Sequence, residues 1–122
     1  MKIAIPVDDA SMDTTICVSF GRAPYFLIYD TESKNAKFIS NSAAASQGGA
    51  GIKAAQTIID HLAESVLTPR CGENAAEVFH AASIKIYQTD GKLLMHNLQA
   101  FEREKLPLLD EIHPGLHNHG GR

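Results

Sequence analysis

The sequence predicts an α/β domain of three layers, in which helices flank a mixed five-stranded sheet. Early in the chain, three apolar runs follow one another without a helical pattern between them, which is typical of an antiparallel meander. From residue 52 onward, helical patterns alternate with short apolar runs, as in parallel strands joined by right-handed crossovers. The 122 residues leave room for one such domain, and the 44% of hydrophobic residues can form its core without disulfides.

The first three predicted strands form the antiparallel part of the sheet. Ile3 to Val7 is a nearly continuous apolar run, as expected for a strand that is covered on both faces. Tyr25 to Tyr29 is rich in aromatic and β-branched side chains and stops at Asp30, while Ala36 to Ser40 is a weaker third strand. We therefore expect three neighbouring strands that run in alternating directions.

A long loop and a helix are predicted next. Residues 41–51 are rich in Ser, Ala, Gln and Gly, which is typical of a flexible loop, and this loop exceeds the usual ~4–6 residues of a connection. Beyond Gly51, apolar side chains recur at helical spacing, which predicts a helix with one face on the sheet. The residues of that face are Ile52, Ala55, Ile59 and Leu62.

The remaining elements alternate between strand and helix. Strands are predicted at Ser65 to Thr68 and at Ile84 to Tyr87, and a helix from about Glu73 to Ala82 lies between them. A third helix follows the turn at Asp90-Gly91, and Pro107 should end it. Together with the meander, these elements complete the mixed sheet.

The end of the chain is predicted to lie outside the domain. Residues 1–106 form the single domain, whereas residues 107–122 have almost nothing to bury and are expected to be a flexible, histidine-rich tail. Its histidines, among them His117 and His119, could bind copper, nickel or zinc, and a tail without a ligand is the alternative.

Composition and charge exclude several classes of function. The net charge is -3 and the eleven Lys and Arg residues are scattered, so the chain lacks the basic stripe that nucleic acid binding requires. No apolar run approaches the ~18 residues of a membrane span, so we expect no membrane partner and a cytoplasmic location. In that reducing compartment, Cys17 and Cys71 are expected to be free thiols.

Three loops predict one shared binding pocket. Phe20-Gly21-Arg22 places a flexible turn and a cation before a new apolar run, and Gly48 to Gly51 and Cys71 to Asn74 each open a helix. Backbone N–H groups at a helix N-terminus have no intrahelical partner and attract anions. Loops at the carboxyl ends of strands meet at one edge of the sheet, so we expect an anion to bind where these three meet.

Specific roles follow for several loop residues. Arg22 is the candidate for offsetting ligand charge, and Cys71 lies beside Arg70 near a helix N-terminus, where a thiol's pKa is lowered and the thiolate favoured. Each also has a simpler interpretation: Arg22 as a solvated loop arginine, and Cys71 as a small, partly buried residue. The predicted ligand-binding residues are Ser19, Phe20, Gly21, Arg22, Gly48, Gly49, Gly51, Cys71, Gly72 and Asn74, and the candidate metal ligands are Cys71, Cys17, His117 and His119.

Four segments, in this order and spacing, resemble the dinitrogenase iron-molybdenum cofactor biosynthesis family over roughly residues 1–98. They are Met1 to Asp9, Phe20 to Phe26, Gly49 to Gly51 and Cys71 to Ala75. The resemblance implies a ribonuclease H-like topology. It also implies a carrier or scaffold, not an enzyme, that holds or passes on a molybdenum-containing sulfide or iron-sulfur type cluster.

One departure from the family pattern bears on the ligand. Many relatives carry a histidine directly before the Phe-Gly pair, where this chain has Ser19. Three modes of binding remain open. The cluster could be ligated by Cys71 or Cys17, it could recruit a tail histidine, or it could be held only by hydrogen bonds and charge. The missing histidine favours the branch of the family that holds a molybdenum-copper sulfide cluster over carriers of iron-molybdenum cofactor.

Two other functions compete with a cluster carrier. The chain could be a non-catalytic interaction module that partners P-loop ATPases, as the resemblance allows. A magnesium-dependent, ribonuclease H-like nuclease is the enzymatic alternative, because Asp8, Asp9 and Asp30 stand at predicted strand ends. The absence of a positively charged surface argues against the nuclease.

Overall fold

One five-stranded sheet organises residues 1–109, the part of the chain that the structure, a computed structural model, describes. The strands are β1 (Lys2–Val7), β2 (Tyr25–Asp30), β3 (Ala36–Ser40), β4 (Ser65–Thr68) and β5 (Lys85–Gln88), and the helices are a 3-10 helix (Ser42–Ala45), α1 (Ala50–Asp60), α2 (Glu73–Ala81) and α3 (Leu94–Glu102). Their order along the sheet is β3-β2-β1-β4-β5. Within these residues, no helix has the length and apolar character that a bilayer crossing requires.

The sheet is mixed, as predicted. The central strand β1 pairs antiparallel with β2, which pairs antiparallel with β3. On its other side, β1 pairs parallel with β4, and β4 pairs parallel with β5. The predicted meander and the predicted parallel part are therefore both confirmed, and β1 joins them.

Helices cover both faces of the sheet, which confirms the three layers. Ala4 of β1 belongs to the core that includes Phe79 of α2, whereas its neighbours Ile3 and Ile5 belong to the core that includes Leu94 of α3. Successive side chains of a strand point to opposite faces, so a central strand between two helical layers must be apolar throughout. This requirement explains the continuous apolar run at the start of the chain.

The predicted inner face of α1 is confirmed for Ala55, which is buried, and for Ile59, which packs against the core, but it is wrong for Ile52 and Leu62. The buried residues of this helix are Ala50, Ala54, Ala55 and Ile58. Ile52 and Leu62, which were predicted to face the sheet, are 39% and 70% exposed. Three of these buried residues are alanines, whose small side chains let a helix pack closely against its neighbours. The spacing of large apolar residues does not show which alanines are buried.

The predicted flexible loop before α1 contains regular structure. Residues Ser42–Ala45 form a 3-10 helix, and the side chain of Asn41 caps it by accepting a hydrogen bond from the Ala43 N–H. Asn is among the preferred N-cap residues because its side-chain oxygen satisfies a free backbone donor. The loop therefore holds a defined path next to β3.

The chain turns away from α3 earlier than predicted and then returns to the sheet. This helix ends at Glu102, well before Pro107, and Glu104 follows with a φ of 58°. Gln88 N–H then donates to Pro107 O at 2.8 Å, and Leu109 N–H donates to Ile86 O at 2.8 Å. The described fold thus continues past the predicted domain boundary at residue 106, and the rest of the predicted tail lies outside the described residues.

Two substitutions on α1 test its observed phase. Ile58 is fully buried, so Ile58→Ala should lower the free energy of unfolding by about 2–5 kcal/mol through lost burial and a cavity. The matched change Ile52→Ala, at a 39% exposed position, should cost no more than about 1 kcal/mol. Urea unfolding followed by circular dichroism measures both, and equal losses would contradict the observed orientation.

Candidate functional site

The three predicted loops meet in one cleft of about 700 Å³. It lies at the carboxyl edge of the parallel strands, because Arg70 and Cys71 follow directly after β4. The lining residues are Val18, Ser19, Phe20, Gly21, Arg22, Gly49, Ala50, Gly51, Ile52, Arg70, Cys71, Gly72, Glu73, Asn74 and Ala75. A cavity of similar size, about 650 Å³, is lined by Lys34, Tyr87 and Phe101 among others, and it contains none of the predicted site residues.

Most of the predicted ligand-binding residues are brought together here, although their role in binding stays a prediction. The lining includes Ser19, Phe20, Gly21, Arg22, Gly49, Gly51, Cys71, Gly72 and Asn74. Two predicted residues, Gly48 and Cys17, are not part of the lining. His117 and His119, the other candidate metal ligands, lie outside the described residues.

Phe20 anchors the first loop in the core. Its side chain is 4% exposed, and its ring centroid lies 5.2 Å from that of Phe26 and 5.3 Å from that of Phe79. These tilted and edge-to-face contacts are the arrangements that aromatic rings prefer. The residues that follow Phe20 are therefore held at a defined place beside α2.

Gly21 brings the same loop against the first turn of α1. A Cβ atom at this position would lie 2.9 Å from the backbone nitrogen of Gly51 and 3.0 Å from its Cα, which is closer than such atoms can approach. Only glycine permits this contact between two backbones. The Gly21 loop and the N-terminus of α1 are therefore in direct contact at the cleft.

Asn41 holds the loop from the other side, and the sequence analysis did not identify it. The residue is 6% exposed, and its Nδ2 donates to Gly21 O at 3.1 Å and to Ala23 O at 2.8 Å. Its Oδ1 accepts from Ala43 N–H at 3.1 Å. An asparagine directly before the Ser-Ala-Ala-Ala run is a cap pattern, and this is the feature that could have revealed it.

Arg22 lies in the wall of the cleft and is bound to the neighbouring loop. Its Nη1 donates to Ala44 O at 2.8 Å and also to Ser46 O. The guanidinium therefore binds the C-terminal end of the 3-10 helix, and its charge lies at the cleft. Arg22 therefore has a structural role in addition to its predicted role of offsetting the charge of a ligand.

Two helix N-termini open onto the cleft. The N-caps of α1 and α2 are Gly49, with a φ of 68°, and Gly72, and neither supplies a side-chain hydrogen bond. Their first intrahelical bonds run from Lys53 N–H to Gly49 O and from Ala76 N–H to Gly72 O. The N–H groups before Lys53 and Ala76 therefore have no intrahelical acceptor, and the positive ends of both helix dipoles favour an anion.

The expected thiolate at Cys71 is wrong for this structure. The side chain is 1% exposed and packs in the core, and burial raises the pKa of the thiol from 9.0 to about 11. Loss of hydration outweighs the helix N-terminus and the adjacent Arg70, because a buried thiolate has no water around it. At neutral pH, Cys71 is a neutral thiol.

Cys17 does not belong to a larger group of metal-ligating side chains in the described part of the chain. Burial, with a smaller contribution from nearby Asp8, also raises the pKa of Cys17, whose Sγ donates to Ser19 O at 3.6 Å. Among residues 1–109, no group of three or more His, Cys, Asp or Glu side chains could hold a metal ion.

The acidic set expected of a nuclease is not assembled. Asp8 follows the last residue of β1, whereas Asp30 pairs with Lys2 at the opposite end of that strand, because β1 and β2 are antiparallel. Carboxylates at opposite ends of a strand cannot share a pair of magnesium ions, which lie ~4 Å apart in two-metal sites. The register therefore argues against the enzymatic alternative.

The fold and the cleft define a small α/β protein with an anion-attracting site between two helix N-termini. The model of the dinitrogenase iron-molybdenum cofactor family matches residues 1–104, and the chain belongs to this family. Among curated proteins, none matches the chain significantly.

Solved structures agree with this membership. The apo form of the orange protein from Desulfovibrio gigas is 29% identical, has a TM-score of 0.85, and matches over 89% of this chain and 92% of its own. A Thermotoga protein of the DUF35 family is 32% identical with a TM-score of 0.80, over 91% of this chain and 95% of its own. A protein from Methanocaldococcus jannaschii, 23% identical over 91% of this chain and 96% of its own, has a TM-score of 0.70 and shares the fold.

The close contact at Gly21 can be tested with a pair of glycine substitutions. Gly21→Ala should lower the free energy of unfolding by about 1–3 kcal/mol, because the added methyl group forces the loop away from α1. In the control Gly51→Ala, the new Cβ would meet Ala75 Cβ at an ordinary 3.5 Å, and alanine is the better helix former. Thermal unfolding should therefore show a loss for the first variant only.

The buried thiol predicts a particular pH dependence. The folded pKa of Cys71 is about 11 against an ordinary 9.0, so its contribution to stability is complete below pH 9 and is lost as the pH rises through 11. Wild-type protein should lose about 1–3 kcal/mol more unfolding free energy across this interval than Cys71→Ala. Urea unfolding at several pH values measures the difference, and parallel curves would contradict a buried, protonated thiol.

Proposed function

We propose that the protein is a carrier or scaffold, without catalytic activity of its own, that holds a molybdenum-containing metal-sulfide cluster in the cleft. The observation that carries the proposal is the meeting of the Phe20-Gly21-Arg22 loop with the uncapped N-termini of α1 and α2. Metal-sulfide clusters of this type are anions, and the cleft offers backbone donors, two helix dipoles and a guanidinium. Membership of the iron-molybdenum cofactor family supports this class of ligand.

Of the three modes of binding that the sequence left open, we favour hydrogen bonds and charge without a protein–metal bond. Cys71 borders the cleft, but it is a neutral, buried thiol, and Cys17 is not in the lining. Ser19 occupies the place where many relatives carry a histidine. The donors that do reach the cleft are N–H groups, which suit the sulfide surface of a cluster and not its metal atoms.

Within this proposal, a molybdenum-copper sulfide is the preferred cluster and iron-molybdenum cofactor the alternative. The preference rests on Ser19, because a carrier without a histidine at this loop has lost a natural ligand for an iron-containing cofactor. The ribonuclease H-like topology that the family resemblance implies and the cytoplasmic location expected from the apolar runs of the sequence are further parts of the proposal. No feature of residues 1–109 favours a P-loop ATPase partner, and we do not assign one.

Reconstitution tests the proposal directly. Purified protein is incubated with tetrathiomolybdate and copper, desalted, and analysed for retained metal and for visible charge-transfer absorption. We expect the wild type to retain the cluster and Arg22→Gln to bind it about tenfold more weakly, because the positive charge of the guanidinium is removed from the cleft. Arg103→Gln removes the same charge from an exposed site outside the cleft and should bind like the wild type.

A cysteine variant in the same experiment separates the modes of binding. Cys71→Ala should retain the cluster almost as well as the wild type if no protein–metal bond is made. Loss of metal from this variant alone would instead indicate ligation by the thiol. A wild-type protein that keeps no molybdenum after desalting would overturn the carrier function.

A further inference from the structure

Two exposed apolar side chains stand in the wall of the cleft. Val18, just before the first loop, is 62% exposed, and Ile52, in the first turn of α1, is 39% exposed. The other large apolar side chains that are exposed within residues 1–109 do not line the cleft. Scattered exposed apolar residues are ordinary, but these two border the same cleft as the backbone donors.

The surroundings of these side chains combine polar and apolar groups. The N–H of Ile52 is among those without an intrahelical acceptor, and the side chain of the same residue is exposed. Arg22 and Gly21 border the cleft on the side of Val18. An anion in the cleft would therefore receive hydrogen bonds while part of its surface touches methyl groups.

Such a wall discriminates between anions of equal charge. An anion that enters the cleft loses part of its hydration shell, and methyl groups cannot replace the lost hydrogen bonds. The free-energy cost of this dehydration is larger for a strongly hydrated anion than for a weakly hydrated one. Oxygen-terminated metalates are hard and strongly hydrated, whereas sulfide-terminated metalates are soft, polarizable and weakly hydrated. The backbone N–H groups and Arg22 attract both kinds through charge, and only the apolar wall separates them.

We propose that Val18 and Ile52 determine specificity in this cleft by favouring sulfide-terminated metal anions over oxygen-terminated ones. The inference rests on the proposed function, because it assumes that the cleft is the binding site. The inference explains how the protein would reject molybdate and phosphate, which have the same charge and shape as small thiometalates. The two side chains act through contact with the ligand surface and make no bond to metal.

Equilibrium dialysis against two dianions of the same tetrahedral shape tests this inference. Dissociation constants for tetrathiomolybdate and molybdate are obtained from molybdenum analysis on the full chain. The test variant is Val18→Ser/Ile52→Ser, and the matched control is Leu93→Ser/Met95→Ser, which removes two exposed apolar side chains, 59% and 45% exposed, from outside the cleft. Circular dichroism checks that each variant is folded.

We expect the wild type to prefer tetrathiomolybdate and the test variant to lose about tenfold of that preference, because apolar contact area is removed. The control should keep the wild-type preference, and Arg22→Gln should weaken both anions by a similar factor. A test variant with the wild-type ratio, or a control that loses as much, would overturn the inference and leave the carrier function standing. A wild type that binds neither anion would also overturn the inference, whereas the carrier function is decided by the reconstitution with copper described above.

Discussion

The cleft depends on one contact, the approach of the Gly21 backbone to the first turn of α1. No side chain fits between Gly21 and Gly51, so the loop and the helix N-terminus form one rigid corner. Phe20 fixes this corner from within the core, and Asn41 fixes it from the 3-10 helix. Because both anchors are buried, the N–H groups of α1 and the charge of Arg22 hold constant positions relative to each other.

The cleft combines two helix N-termini with charged side chains. The N-termini of α1 and α2 and the Arg22 guanidinium favour an anion, the Glu73 carboxylate in the same lining opposes one, and burial raises the pKa of the Cys71 thiol. Under the proposed function, a ligand held by hydrogen bonds and charge would leave this cleft without breaking a coordinate bond.

Much of the fold could be predicted because it depends on local patterns. The ends of β3 and β4 agree with the sequence, since Ala36 to Ser40 and Ser65 to Thr68 are apolar or β-branched runs bounded by polar or turn residues. The meeting of the loops followed from the rule that parallel strands place their carboxyl ends at one edge. For the same reason, the sequence alone predicts that the three glycine-containing segments border one cleft.

By itself, the sequence determined the order of elements, the mixed sheet and the loops that meet, because these follow from periodicity and turn residues. The tertiary structure decided which face of α1 is buried, what Asn41 holds, and where the guanidinium of Arg22 is bound. It also reversed the expected ionisation of Cys71. Each of these four features depends on contacts between residues that are distant in the sequence. Such contacts, and the burial that they produce, form only when the chain folds.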